Sequence, residues 1–330
     1  VTGEKITYSA VADIQGRNFF EPDSYFDLAV LGNDHGYTSE LYGMAKKMMP
    51  APPTAFGAPM LTIASVPEVS RSTVKAALLE MGKVDVSMIT AMTDDIDIAR
   101  DIAAHAVYFS RDDIKKERVA IVALNSASVP YTDFVALALE LNASGNGERV
   151  CLVYDNFTSE EFVAPMVAAM QAGLVDSATS MLTTSFNTDS TLLKSGRVDG
   201  KAVSYMLSQG VMVLSRDDNN VLTIIDDLSC AGPTFDLPGR LVEDELRKEI
   251  RRNVTTLKGL KLRGRVYTGL EDIATAILDS YVFSEKIDSW TPASLSAIQD
   301  PDNPEGAILR FTYVRMRTLK VVTVEYRITG

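Results

Sequence analysis

The chain has 330 residues, 46% of them hydrophobic and 23% charged, with a net charge of −12. This is the composition of a soluble globular protein large enough to bury a core without disulfide staples, and its negative balance argues against a general nucleic-acid binder. Two cysteines, Cys151 and Cys230, are too few for a disulfide framework, and no apolar run nears the roughly 18 residues of a membrane span.

Residues 1–60 carry no pattern that fixes a fold. From there, "MLTIASV" (60–66) and "VDVSMIT" (84–90) read as strands, and "RVAIVAL" (118–124) and "RVCLVYD" (149–155) as short, β-branched buried strands. Helical patterns lie between and after them. "SRSTVKAALLEMG" (70–82) ends on Gly82 as a C-cap, and "TDDIDIARDIAAHAVYFS" (93–110) opens on Thr93 as an N-cap. "YTDFVALALELN" (131–142) and "TSEEFVAPMVAAMQAG" (158–173) complete the alternation, which predicts an α/β fold: a mixed sheet flanked by helices. Residues 174–200 read as a loop or a change of layer. A short helix (201–210) and a hairpin of "VMVLS" (211–215) with "VLTIID" (221–226) follow. "RLVEDELRKEIRRNVTTLKG" predicts a helix with Glu243, Asp244 and Glu245 in its first turns, and residues 270–283 predict another. The expected division is an N-terminal region of undefined fold (1–60), an α/β domain (61–200) and a C-terminal domain (201–330).

The chemistry-bearing patterns are few. Neither G-x-x-x-x-G-K-[ST] nor G-x-G-x-x-G occurs, so the strand-to-helix turns lack the glycines that bring backbone close to a phosphate. Asp155, at the end of "RVCLVYD", therefore reads as a turn or N-cap residue. Asp34 and His35 in "GNDHG" are metal-ligand types, but glycines around Asn and Asp also suit a tight turn, which is the expected structure. His105 reads as a packed or surface histidine, and Asp94, Asp95, Asp97 and Asp101 as capping and dipole-matched carboxylates. Two histidines and no G-x-S-x-G leave little room for a catalytic triad. No enzyme activity, cofactor or metal is expected. The competing reading is a soluble α/β enzyme or small-molecule binder with a site near Asp34, His35 and Asp155.

Charge is segregated. Residues 1–239 hold 17 Lys/Arg against 31 Asp/Glu, and residues 240–330 hold 15 against 13. Arg247, Lys248, Arg251 and Arg252 open the densest basic stretch, suited to an acidic face of another copy. The last segment, "LKVVTVEYRITG", alternates: Val322, Val324, Tyr326 and Ile328 share one face, and Val321, Thr323, Glu325 and Arg327 the other. It predicts a strand, either of the chain's own sheet or added to a neighbour's.

The order of segments resembles that of contractile tail sheath proteins of myophages, tailocins and related injection machines. The resemblance runs over residues 75–330, through "ALLEMGKVDVSMIT", "IAAHAVYFS", "KKERVAIVAL", "RVCLVYDN", "VAPMVAAMQAGL", "SYMLSQGVMVLSRDDNNVLTIIDDLS", "LVEDELRKEIRRNV" and "AILRFTYVRMRTLKVVTVEYRI". The chain departs from the family at "LRGRVYTGLED", where a phenylalanine–glutamate–proline–asparagine stretch is usual, and lacks the usual proline between the closing strands. The resemblance implies a virion structural protein of the phage tail, made in the host cytoplasm. Copies would form stacked hexameric rings, a helical assembly around an inner tail tube protein, and contact baseplate and terminator proteins. Strand exchange would link neighbours through Val321–Ile328, and contraction would serve genome injection. Neither direct nucleic-acid binding nor membrane insertion is implied. An N-terminal arm before Val1 is left open.

Overall fold

The computed structural model describes residues 5–11, 20, 22–49, 60–66, 70–91, 93, 95–125, 129–155, 163–174, 176–184, 199–216, 222–260, 264–303 and 305–316. These fall into two compact units, 1–240 and 241–330.

In the first unit, eight strands form one sheet: β1 (Lys5–Val11), β2 (Asp23–Tyr25), β3 (Met60–Val66), β4 (Met88–Ala91), β5 (Val119–Asn125), β6 (Val150–Asp155), β7 (Val211–Arg216) and β8 (Leu222–Ile224). Their order is β2-β3-β1-β4-β5-β6-β7-β8. The six inner strands are parallel, and the two edges, β2 and β8, run antiparallel to their neighbours. β1 thus comes from the region whose sequence pattern fixes nothing, yet it lies in the sheet interior, with Ile6 opposite both Leu61 and Met88. β3, β4 and β6 are buried at every position, as parallel strands covered on both faces require.

Helices α1 (Leu28–His35), α2 (Glu40–Met48), α3 (Arg71–Met81), α4 (Ile96–Phe109), α5 (Tyr131–Ala143), α6 (Val163–Ala172) and α7 (Gly200–Ser208) surround this sheet. α6 is buried at all ten positions, packed between α2 and β1, β4, β5 and β6. All its residues but Gln171 are apolar, which suits burial on every side, and the Gln171 amide donates to the Ser177 and Thr179 carbonyls at 3.4 and 3.3 Å. Of the expected start of this helix, residues 158–162 lie outside the described residues. α3, α4 and α5 send Val74, Leu78, Ile98, Ile102, Phe134 and Leu137 into the core, each fully buried side chain contributing about 1.5–3 kcal/mol.

Several local expectations are corrected. The N-cap of α4 is Asp95, whose Oδ1 accepts from the Asp97 and Ile98 amides at 2.7 and 3.3 Å; the Thr93 hydroxyl instead accepts from the Asp95 amide. "GNDHG" is not a turn throughout: Gly32–His35 are the last residues of α1, and the chain reverses only at Gly36. Gly82 does end α3, but in right-handed helical conformation; its missing Cβ makes room for the Phe109 ring. At Gly210, φ is +77° and a Cβ would stand 2.2 Å from the Ser229 carbonyl oxygen, so only glycine fits before β7.

Two further strands, β9 (Leu228–Ser229) and β10 (Gly232–Asp236), pair with one another, and α8 (Leu237–Asn253) follows. α8 starts one turn earlier than the sequence suggests because Asp236 accepts from the Gly239 amide. Glu243, Asp244 and Glu245 consequently lie beyond its first turn. The second unit contains most of α8, α9 (Gly264–Phe283), β11 (Ile287–Trp290), β12 (Ser296–Gln299), β13 (Ala307–Arg310) and β14 (Tyr313–Arg315). β11 pairs with β14 and β12 with β13, both antiparallel. The predicted closing strand 319–330 lies outside the described residues.

Candidate subunit interface

α8 presents Leu241, Val242, Leu246 and Ile250 inward at helical spacing. Three of its carboxylates, Glu243, Glu245 and Glu249, are engaged inside the second unit. Glu243 accepts from Arg315 on β14 at 2.6 Å and from Arg247 at 3.0 Å. Glu245 holds Lys286 at 2.7 Å, and Glu249 accepts from the Tyr281 hydroxyl at 2.8 Å. Burial draws the Arg315 pKa down, but the Glu243 hydrogen bond and charge outweigh it and the net direction is upward. These contacts fasten the end of α9 and the β14 strand to α8. Arg251 and Arg252 lie in the last turn, where cations suit the helix dipole. Arg252 is exposed, as is Lys258 just beyond.

Of the residues expected at an interface, Arg247 and Arg251 are one turn apart on α8, with Arg252 adjacent. Val321, Val322, Thr323, Val324, Glu325, Tyr326, Arg327 and Ile328 lie outside the described residues. The partners Arg315, Lys286 and Tyr281 are not legible in sequence. They lie 72, 41 and 32 residues from the α8 carboxylates they meet, and no local pattern marks them.

The competing site does not assemble. His35 is buried, its Nε2 2.9 Å from the Tyr25 hydroxyl. Asp155 closes β6 and is buried. β2, beside α1, stands five strand spacings from β6, about 24 Å, so Asp155 cannot share a reaction centre with Asp34 and His35. Among the described residues no three His, Cys, Asp or Glu side chains gather as a metal site, and no helix is long and apolar enough to cross a membrane. Cys151 and Cys230 are buried free thiols whose pKa values burial raises, Cys230 to about 12.

Of the packed and surface positions the sequence allows, His105 takes the packed one, and it has a specific partner. Its Nε2 lies 3.0 Å from an Arg118 guanidinium nitrogen; because Arg can only donate, Nε2 is the unprotonated acceptor. Burial, then the Arg118 charge, lowers the His105 pKa from 6.5 to about 3. Between those values the unfolded chain takes up a proton that the fold refuses, so stability rises with pH across this window and is lost as pH falls. The expected loss is on the order of 4 kcal/mol by pH 3. His105→Gln, which can still accept from Arg118, flattens that part of the urea-denaturation profile; an unchanged slope would exclude His105 as its source.

No family model matches the chain, and no curated protein matches it in sequence. Solved structures do match. The anti-feeding prophage helical sheath in its contracted state superposes with a TM-score of 0.71 at 10% identity, covering 99% of this chain and 94% of that one. The chain has a tail sheath fold. The sheath tail protein of Listeria innocua gives a TM-score of 0.71 at 10% identity, covering 96% and 93% of the two chains. The contracted sheath of the extracellular contractile injection system PVC gives 0.68 at 10% identity, covering 99% and 92%. The likeness thus takes in the described residues before Met60, with β1, β2, α1 and α2, a region the sequence resemblance does not reach.

Proposed function

We propose that the chain is a structural subunit of a contractile tail sheath. Copies assemble into stacked hexameric rings around an inner tube, and contraction drives the tube through the host envelope. The observation that carries this reading is the likeness to assembled sheaths over nearly the whole chain. A likeness of similar extent to the anti-feeding prophage baseplate supports baseplate association; the inner tube and terminator proteins complete the proposed partners. The proposed location is the phage tail, after synthesis in the host cytoplasm.

Two surfaces carry the assembly in this reading. The segment Val321–Ile328 adds a strand to a neighbour's sheet, each backbone hydrogen bond contributing about 1 kcal/mol net and the alternating side chains setting register. Arg247, Arg251 and Arg252 present cations to an acidic neighbour. Such charged faces can exchange partners, giving one chain two packings, while strand linkers keep subunits connected. Negative-stain microscopy of the purified chain, across salt and protein concentration, tests the reading. Rings or cylinders of tail diameter are expected; monomers under every condition would overturn it.

A further inference from the structure

"GNDHG" is absorbed neither by a metal site nor by a turn, and its geometry builds a surface. Gly32 lies in α1, and a Cβ there would meet the Tyr37 ring at 2.5 Å. Gly36, at φ +82°, reverses the chain so that Tyr37 folds back along the helix. Its hydroxyl donates to the Ala29 carbonyl at 3.2 Å and to Asn33 Oδ1 at 3.0 Å. Phe26 and Val30 stand one turn apart on the same short helix and its entry. Phe26 is 72% exposed, Val30 51% and Tyr37 53%. Three large, exposed apolar side chains thus come from one short helix and the residues flanking it, with Tyr37 held in a built seat against that helix, an arrangement suited to docking. The surrounding sequence is purely acidic. Between Arg17 and Lys46 there are five carboxylates, Glu21, Asp23, Asp27, Asp34 and Glu40, and no Lys or Arg.

The chain holds the opposite pattern once. Between Glu249 and Glu271 there are six cations, Arg251, Arg252, Lys258, Lys261, Arg263 and Arg265, and no carboxylate. Within this stretch Leu260 is 57% exposed. An apolar patch in an acidic stretch thus has a counterpart in an apolar side chain in a basic one.

We infer that the Phe26–Val30–Tyr37 patch of one copy receives the Leu260 region of a second copy, with the acidic stretch facing the cations. The inference rests on the sheath reading and names one of its subunit contacts. The two surfaces differ, so the contact is head-to-tail and propagates from copy to copy instead of closing a dimer.

A full-length chain carrying Phe26→Cys and Leu260→Cys tests this under mild oxidation; the native cysteines are buried and leave a silent background. A ladder of disulfide-linked multimers is expected, weakened in 1 M salt as screening predicts. Val30→Lys, which places a cation opposite cations, raises the concentration of half-assembly about tenfold, and adding Lys258→Glu recovers most of it. Circular dichroism confirms that each variant is folded. A monomer cross-linked only within itself, or dimers formed equally by Phe26→Cys alone, overturns the inference. Cylinders from the unmodified chain without the ladder also overturn it and leave the sheath reading standing. An unmodified chain that never assembles overturns both.

Discussion

Arg118→Met destabilises the first unit by about 3–5 kcal/mol, the range for removing one member of a buried charged network. Arg118 has no exposed surface, although it opens an apolar strand. Its guanidinium donates to the carbonyls of Met81 at 3.2 Å, Val84 at 2.9 Å and Lys116 at 3.2 Å, and to His105 at 3.0 Å. It also stacks over the Phe109 ring, 4.8 Å from its centroid. Met81 ends α3, so Arg118 satisfies a carbonyl that the helix leaves without an intrahelical donor. Lys116 donates to the carbonyls just past the helix end, Gly82 and Lys83, at 2.8 and 3.0 Å. Burial pulls the Arg118 pKa down to about 10, with Asp85 opposing, so the group remains charged at neutral pH. Methionine fills a similar volume but removes the donor from His105 and from the part-buried Val84 and Lys116 carbonyls, at about 1–3 kcal/mol each before relaxation, while the Met81 carbonyl keeps the Val84 amide at 3.2 Å. Arg118→Lys keeps the charge and loses the fork, so it should fall between the two. Urea denaturation followed by far-UV circular dichroism measures the effect. A loss below about 1 kcal/mol for the methionine variant would show that water replaces the guanidinium at no cost.

Removal of residues 319–330 abolishes polymerisation and leaves a folded monomer. This follows from the proposal that Val321–Ile328 supplies a strand to a neighbour. Eight residues in register make several backbone hydrogen bonds at about 1 kcal/mol net each, repeated at every subunit of the assembly. No single side-chain substitution removes as much. The second unit retains its own fastenings, Arg315 to Glu243 and Lys286 to Glu245, and both strand pairs. The chain has a single tryptophan, Trp290, in β11 with Nε1 2.8 Å from Asp279, so its emission reports whether that unit stays folded. Sedimentation velocity then reads assembly. A truncated chain that polymerises like the full one, or whose Trp290 emission is that of the unfolded chain, would falsify the arm proposal.

Much of the central sheet was legible because its strands are short apolar runs bounded by helical patterns. β3, β5 and β6 lie where "MLTIASV", "RVAIVAL" and "RVCLVYD" place them. β4 is shorter than its pattern: it begins at Met88, and the carbonyl of Val84, four residues earlier, accepts from Arg118 instead of from a strand. Thr93 and Asp95 both suit the cap position in sequence, and only the backbone path decides that the Asp95 oxygen reaches the N-terminal amides. At "GNDHG" local composition favours a turn, while packing of Tyr37 against Gly32 keeps the first four residues helical.

Local periodicity and composition carry the α/β class, the buried strands and the segregation of charge, and they leave His105 as a packed or surface residue. The order of segments over residues 75–330 also carries the resemblance to sheaths. Tertiary packing sets β1 between β3 and β4, makes Arg118 the cap of a helix 37 residues away, and turns Glu243 and Glu245 of α8 inward to Arg315 and Lys286. It also places Asp34 and His35 far from Asp155. The physical reason is common to all four. Strand order and the pairing of buried charges depend on groups that are close in space and distant along the chain. A local window records what each residue needs, a sheet neighbour, a hydrogen-bond acceptor or a counter-charge, but not which distant residue supplies it.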